Sequence, residues 1–234
     1  MANRGGRLRV LAGLVGFGLE DARRRSVSTA RAGAAAAFQA VTWTKWQVAG
    51  VTPSNAPLLP TRGALLARAA QVAPKVGLWL EFGVFRGESL RLLAGLTGGP
   101  VYGFDSFEGL PDHWGVAHQA GTFSTAGRPP EVPANVRLVT GRFEQTLPGF
   151  VREHVPAQVA LLHVDSDLYS SARVVLEQLR SAIVPGTVIV FDEFTILVPD
   201  DEHRAFREFL RTTGRHYRYL GCSPTGSVAV VIAE

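Results

Sequence analysis

Acidic side chains follow two apolar stretches near the middle of the chain. Residues 161–164 run directly into Asp165, and Val188–Phe191 runs directly into Asp192 and Glu193. Each stretch has the length and composition of a buried strand, and one amphipathic helix separates them. In such a βαβ unit the two strands lie parallel, so their C-terminal ends meet at the same edge. Three carboxylates would then share one place, which is costly unless they hold a cation or a proton.

A divalent cation is the first interpretation of this acid trio. A hard cation held by carboxylate oxygens can bind an alcohol, lower its pKa and orient it for attack. A metal-free cluster is the alternative, with Asp165 as a general base and the other acids capping loops or pairing with arginines. His163 alternates onto the same face as Asp165 and is a candidate catalytic residue, although a histidine in a buried strand is more often part of the core.

A second constellation lies earlier in the chain, after a strand predicted over residues 76–84. Gly83 and Gly87 have the spacing G-x-x-x-G, which is not the dinucleotide fingerprint G-x-G-x-x-G. Glycine at a strand–helix turn lets a ligand approach bare backbone. The helix that opens near Ser89 offers free amide N–H groups. These would suit the carboxylate of S-adenosylmethionine, and Glu81 would suit its ammonium.

Further residues extend this candidate cofactor site. Asp105 ends the next predicted strand, where an acid can accept hydrogen bonds from ribose hydroxyls, and Ser106 follows it. Arg142 and Phe143 follow the third strand and could flank an adenine ring. The simpler interpretation is that the two glycines only form a tight turn and that Asp105 caps a loop.

The order of predicted elements gives the fold class. From residue 76, strands and helices alternate five times, and a hairpin over residues 216–233 closes the chain. This pattern predicts an α/β fold with a doubly wound, mostly parallel, seven-stranded sheet and a C-terminal antiparallel hairpin. Residues 76–234 are predicted to be the catalytic domain. Residues 1–75 are predicted to be an N-terminal tail and helical extension, acting as a lid or an oligomerisation segment.

Composition narrows the class of partner. The net charge of +4 is carried by residues 1–31, which hold seven arginines and two acids, so no nucleic-acid-binding face is expected. The longest apolar run in that region, residues 10–19, is too short to span a bilayer, so no transmembrane segment is expected. Cys222 is the only cysteine, which is compatible with a cytoplasmic location. Helices around Trp43 and Trp46 are a candidate lid or homo-oligomer contact.

Four stretches together resemble a known family. They are residues 80–89 (LEFGVFRGES), 104–111 (FDSFEGLP), 163–170 (HVDSDLYS) and 185–194 (PGTVIVFDEF). Over residues 76–234 the chain resembles the macrocin O-methyltransferase (TylF-like) group of class I, Rossmann-like, S-adenosylmethionine-dependent methyltransferases. The D-S-F-E-G-L-P run is specific to this group.

The resemblance implies a Mg²⁺-dependent methyl transfer to a hydroxyl, typically on a sugar of a secondary metabolite. It places the metal ligands at Asp165, Asp192 and Glu193, and it implies a small-molecule hydroxyl acceptor. Trp114, in a long loop, is a candidate contact for that acceptor. A metal-free methyltransferase and a nucleoside-binding module without catalysis are the competing hypotheses. The acid trio disfavours the second of these, because a pure binder has little need to concentrate charge.

Overall fold

The computed structural model describes residues 56–154, 156–194 and 201–233 of the chain. All of them belong to one compact unit. The helices of the described part are α1 (Arg62–Val72), α2 (Glu88–Leu96), α3 (Phe143–His154), α4 (Tyr169–Gln178) and α5 (Asp201–Thr213). Its strands are β1 (Leu78–Phe82), β2 (Val101–Asp105), β3 (Val136–Thr140), β4 (Val159–Val164), β5 (Val188–Phe191), β6 (His216–Cys222) and β7 (Val228–Ala233).

One sheet organises these elements. Its seven described strands have the order β3-β2-β1-β4-β5-β7-β6. Strands β1 to β5 are parallel, whereas β7 is antiparallel to β5 and β6 is antiparallel to β7. The chain builds outward from β1 to β3 and then returns to the other side of β1. The predicted fold class is confirmed, and the C-terminal ends of β1 and β4 mark the topological switch point where such sheets bind ligands.

The central strands are apolar because both of their faces are covered. Every residue of β1, β4 and β5 is buried, as expected for parallel strands that carry helices on both sides. Helix α1 contacts α2, while α3 contacts α4 and α4 contacts α5. These central strands present two polar residues, Glu81 in β1 and His163 in β4, which pair across the sheet in register. A buried polar pair in such a core requires a specific reason.

Strand β1 is shorter than predicted at both ends. The pattern of apolar residues predicted residues 76–84, but the strand covers Leu78–Phe82. Gly77 and Gly83 lie on either side of it with φ values of +131° and +94°. Backbone in this left-handed region cannot continue a strand, so the glycines set its limits. The amphipathic helix between β4 and β5, expected over residues 170–183, begins one residue earlier, at Tyr169, and ends earlier, at Gln178.

Helix α1 packs on the sheet unit. The side chain of Thr61 accepts a hydrogen bond from the amide of Ala64, which caps the helix start. The residues that α1 buries are Leu65, Leu66, Ala69 and Ala70.

The segment before α1 bonds to β6 through both the amide and the carbonyl of Cys222. The described part of the predicted N-terminal extension is therefore packed against the sheet. The predicted tail and the helices around Trp43 and Trp46 lie outside the described residues. Over the described ranges, no helix is long and apolar enough to cross a membrane.

Candidate active site

A cavity of about 350 Å³ opens at the C-terminal edge of the sheet. One wall is the turn after β1, which includes Gly83 and Gly87. The neighbouring part of the lining contains Asp165, Asp192 and Glu193. The two constellations found in the sequence therefore face the same space. We call these surfaces the glycine wall and the acid wall.

The acid wall brings the three predicted metal ligands together. One carboxylate oxygen from each of Asp165, Asp192 and Glu193 lies within 4.8 Å of the others. Main-chain bonds extend the sheet to this point, because the amide of Asp165 donates to Phe82 and the amide of Asp192 donates to Val164. The predicted meeting of the carboxylates is confirmed, and the parallel ladder fixes it.

Arg62 is the charged partner of two of these acids. Its Nη2 donates to Oδ2 of Asp165 at 2.7 Å, and its Nη1 donates to Oδ2 of Asp192 at 2.8 Å. Burial and the charge of Asp192 raise the pKa of Asp165 to about 8, even though Arg62 opposes the shift. The sequence analysis did not identify Arg62, which is the first residue of α1 and lies 103 positions before Asp165.

Asp192 has more polar side-chain partners among the described residues than the other two acids of the trio. Its Oδ1 accepts a hydrogen bond from Oγ of Ser227 at 2.9 Å and lies 4.0 Å from Nε2 of His163. Burial alone would raise its pKa, but His163, Arg62 and Ser227 outweigh burial and hold the pKa of Asp192 below its ordinary value. Sequence reasoning missed Ser227, because a serine just before the last strand gives no signal beyond the turn that precedes it.

Glu202 links the loop after β4 to the loop after β5. This fully buried carboxylate accepts one hydrogen bond from the amide of Ser166 and one from the amide of Glu193, each at 3.1 Å. It was missed in the sequence because an acid in the first turn of a helix is ordinarily a solvated one. The structure makes it a positioning residue, since the loops after β4 and β5 are both anchored to it.

Glu193 is the least satisfied member of the trio. Its Oε2 is buried and has no hydrogen-bond partner among the described residues. Burial, with the charges of Glu202 and Asp192, raises the pKa of Glu193 to about 12. Burial also raises the pKa of Glu202 well above its ordinary value. A buried oxygen without a partner is rare in native proteins and indicates a place for a ligand.

A buried polar chain runs beneath the cavity and connects its two walls. Oγ of Ser89 donates to Oε1 of Glu81 at 3.2 Å, and Oε2 of Glu81 lies 2.9 Å from Nδ1 of His163. Burial opposes a charge on the imidazole, but Asp192 and Glu81 outweigh it and raise the pKa of His163 to about 10. Neither Glu81 nor His163 lines the cavity. The geometry gives His163 a supporting place behind Asp192, and its role as a base stays a prediction.

The glycine wall is shaped by a close approach of two loops. Gly83 has a φ of +94°, and a Cβ there would lie 1.7 Å from the carbonyl oxygen of Asp165. Gly87 has a φ of +73° and precedes the first residue of α2. Gly83, Gly87 and Ser89 all line the cavity, as the cofactor prediction requires.

Asp105 holds the glycine wall in place. Its Oδ2 accepts from the amides of Val84 and Phe85 at 2.8 and 2.7 Å, and its Oδ1 accepts from the amide of Phe107 at 2.7 Å. Phe85 and Phe107 have positive φ values of +48° and +60°, a costly conformation for residues with a side chain. The carboxylate therefore caps a strained loop, as the simpler interpretation expects. Asp105 also lines the cavity, and its bond to a ribose stays a prediction.

The remaining predicted cofactor residues lie apart. Ser106, Arg142 and Phe143 line a neighbouring cavity of about 50 Å³. The ring of Phe143 packs edge-on against Phe82, with 5.2 Å between ring centroids. The structure therefore divides the predicted set between a main cavity, a small side cavity and, for Glu81, the buried chain beneath.

Aromatic residues form a third side of the main cavity. Phe85 and Phe123 meet edge-on at 5.7 Å, and Trp114 stacks on His118 at 5.0 Å. Nε1 of Trp114 is buried and has no hydrogen-bond partner among the described residues. Trp114 lines the cavity, where it was predicted to contact an acceptor.

Comparison with known proteins agrees with this geometry. A family model described as a methyltransferase domain matches residues 80–194. This range contains both the glycine wall and the acid trio. A curated protein of Streptomyces olivaceus, 8-demethyl-8-(2,3-dimethoxy-alpha-L-rhamnosyl)-tetracenomycin-C 4'-O-methyltransferase, is 29% identical over 143 residues. The match covers 50% of this chain and 52% of that protein, so the chain spans about half the length of this curated relative.

Two solved structures are similar over most of the described residues. CalS11, a calicheamicin methyltransferase, has a TM-score of 0.58 and 26% identity, covering 72% of this chain and 76% of its own. The O-methyltransferase NovP has a TM-score of 0.56 and 20% identity, covering 74% and 80%, a likeness that shows the fold. The narrower resemblance to the macrocin group stays a prediction. The sheet order, the family model over residues 80–194 and the similarity to CalS11 show that the described residues have the class I, Rossmann-like methyltransferase fold and contain a methyltransferase domain.

Proposed function

We propose that this protein transfers the methyl group of S-adenosylmethionine to a hydroxyl of a small molecule, a sugar unit of a secondary metabolite, with the help of Mg²⁺. The observation that carries the proposal is that the acid trio and the glycine wall line one cavity. Support also comes from the curated relative, whose name describes a methyl transfer to a rhamnosyl unit.

The cavity fits the cofactor by size and by lining. Its volume of about 350 Å³ falls in the range of roughly 300–1,000 Å³ that small-molecule sites occupy. Gly83 and Gly87 expose backbone, and α2 begins at the cavity with Glu88. Bound there, the cofactor supplies a methyl group on a positively charged sulfur that an oxygen can attack in line. Ser89 and Asp105 would hold its polar groups from the glycine wall.

The acid wall fits a divalent cation. Three carboxylates form the kind of oxygen-donor set that Mg²⁺ prefers, and the buried Oε2 of Glu193 has no hydrogen-bond partner in the described part of the chain. Asp165, Asp192 and Glu193 would hold the ion, while Ser227 and Glu202 keep two of these residues in position. When bound, Mg²⁺ lowers the pKa of a hydroxyl and fixes its direction.

The protein's own residues complete the arrangement for transfer. Because the acid wall and the glycine wall line one cavity, an acceptor hydroxyl held at the first would lie near a cofactor held at the second, which brings the reacting atoms together. Trp114 and Phe123 offer aromatic faces to the body of the acceptor, and the indole N–H of Trp114 has no partner among the residues that the structure describes. Partial burial of the trio would limit the access of water to a developing alkoxide.

A metal-free transfer is the second candidate, and one contact favours it. Arg62 already neutralises Asp165 and Asp192 through two hydrogen bonds. Burial and the charge of Asp192 raise the pKa of Asp165 to about 8, a value that suits a general base near neutral pH. In this mechanism Asp165 itself takes the proton of the acceptor hydroxyl.

Cofactor binding and turnover separate these hypotheses. Isothermal titration calorimetry on the full chain should show binding of both S-adenosylmethionine and S-adenosylhomocysteine. Incubation with rhamnose-bearing acceptors and Mg²⁺ should release S-adenosylhomocysteine, measured by chromatography, and EDTA should stop the release. Failure to bind either nucleoside contradicts the proposed function. Turnover that survives EDTA retains the methyltransferase and selects the metal-free mechanism.

A further inference from the structure

Arg62 occupies the oxygens that a metal ion would need. One guanidinium bridges Asp165 and Asp192, which follow two different strands, with N–O distances of 2.7 and 2.8 Å. Both contacts use Oδ2, and the other oxygen of Asp192 is already bonded to Ser227. A planar fork that meets two carboxylates in this way is a strong and directional pairing.

The guanidinium and a divalent cation cannot share this position. A metal ligand must come to within about 2.0–2.6 Å of the ion, with its lone pair directed at it. One lone pair of each Oδ2 atom is instead directed at Arg62, at hydrogen-bond distance, and the guanidinium fills the space between the two oxygens. Two positive groups at one small site also repel each other strongly, because burial lowers the effective dielectric constant.

Arg62 is attached in a way that permits its release. Its side chain is 36% exposed and lines the cavity, so it has open space to move into. Helix α1 stays docked by contacts that do not involve Arg62. These contacts are the buried Leu65, Leu66, Ala69 and Ala70, and the main-chain bonds of Pro57 and Leu59 to Cys222.

We propose that Arg62 is a built-in competitor for the metal site, so that a divalent cation binds only by displacing its guanidinium from Asp165 and Asp192. This inference rests on the metal site of the proposed function. In the metal-free protein Arg62 neutralises the crowded acids and closes these oxygens to an acceptor hydroxyl. Metal binding then exchanges one cation for another and opens the acid wall.

Calorimetric titration of Mg²⁺ into the full chain tests the exchange, and electron paramagnetic resonance of Mn²⁺ gives a second readout. Arg62→Gln should bind either ion at least about ten-fold more tightly, because the competing state is removed. Arg68→Gln, an exposed arginine of the same helix, is the matched control and should bind like the wild type. Arg62→Lys keeps the charge but cannot bridge both acids. Its affinity for the metal ion should therefore lie between those of the wild type and Arg62→Gln.

Thermal unfolding provides a readout that does not depend on activity. In EDTA, Arg62→Gln should unfold at a temperature about 2–4 °C lower than the wild type, because the acids lose their counterion. Saturating Mg²⁺ should abolish most of that difference.

Three outcomes overturn the inference. Equal metal affinity in wild type and Arg62→Gln leaves the metal site intact but shows that Arg62 does not compete. Wild-type affinity in Arg62→Lys shows that only the charge matters and not occupancy of the oxygens. Absence of binding in every variant at millimolar metal removes the metal site itself, and the competition with it.

Discussion

The glycine wall and the acid wall both depend on carboxylates that are at least partly buried, but the hydrogen-bond and charge partners of these carboxylates differ. Asp105 receives three hydrogen bonds from the main chain of neighbouring loops. The acid trio instead receives Arg62 from a distant helix, and one oxygen of Glu193 has no partner among the described residues. Amide donors are fixed parts of the fold, whereas side-chain cations can leave. The glycine wall is therefore built before any ligand arrives, while the state of the acid wall depends on which cation it holds.

The largest difference between the walls should appear in Asp192→Asn. This change removes a charge from the proposed metal site, and we expect kcat/KM to fall about 1,000-fold, which corresponds to about 4 kcal/mol of transition-state stabilisation. Affinity for S-adenosylmethionine should stay within about three-fold, because the proposed cofactor site is the glycine wall. Steady-state kinetics and calorimetry measure the two effects. A large loss of cofactor affinity would place Asp192 at the wrong wall.

Gly83→Ala should disrupt the close contact between the turn after β1 and the loop after β4. The added Cβ would lie 1.7 Å from the carbonyl of Asp165, in a backbone conformation that alanine avoids. We expect a loss of about 3 kcal/mol or more in the free energy of unfolding.

Gly95→Ala is the matched control for this change. Gly95 lies in α2 and a Cβ there would contact nothing within 4 Å. This substitution should stabilise the protein by about 0.5–1 kcal/mol. Urea denaturation followed by circular dichroism compares the two. Equal stability of both variants would show that the loops can separate without cost.

Asp105→Asn tests whether the glycine wall depends on its charge. An amide group cannot accept three hydrogen bonds from N–H donors as a carboxylate does, so the strained loop loses part of its support. We expect about 1–3 kcal/mol lower stability and about ten-fold weaker cofactor binding. Asp112→Asn is the control, since Asp112 is exposed and, among the described residues, accepts a hydrogen bond from the amide of the neighbouring His113. Unchanged binding in Asp105→Asn would show that the wall keeps its shape without this charge.

Cys222 offers the smallest and most specific test. Burial raises the pKa of its thiol to about 11, so the thiolate is scarce at pH 8 and appears only as the pH approaches that value. Stability contributed by the neutral thiol is present below its ordinary pKa and is lost as the pH rises toward 11. Cys222 is the single cysteine, so labelling with a thiol reagent reports on it alone.

The same thiol reports on the docking of α1, because Pro57 and Leu59 bond to the main chain of Cys222. Labelling at pH 8 should be slow in the wild type and equally slow in Arg62→Gln. Fast labelling of Arg62→Gln alone would show that the arginine holds the whole helix, so that the two walls are not independent of α1.

Much of this arrangement could be predicted from local patterns. The clustering of the three acids was predicted correctly, because parallel strands bring their C-terminal ends to one edge of the sheet. The turn at Gly83 was recognisable from the spacing of its glycines. The division of the cofactor residues was not predicted, since Arg142 and Phe143 lie in a side cavity that depends on how α3 packs. Glu81 was identified as a cofactor contact from its place before the glycines, but it lies beneath the cavity with His163.

The sequence by itself determined the fold class, the glycine turn and the clustering of the three acids. Each of these depends on local patterns of strands, helices and turns along the chain. Only the tertiary structure decided which groups surround those acids. Arg62 bonds to Asp192, which lies 130 positions further along the chain. Glu202 and Ser227 contact the acid-bearing loops from elements near the C-terminal end of the chain. Such pairs leave no periodicity to detect. They arise because buried charges must be neutralised by whatever side chain the fold brings near.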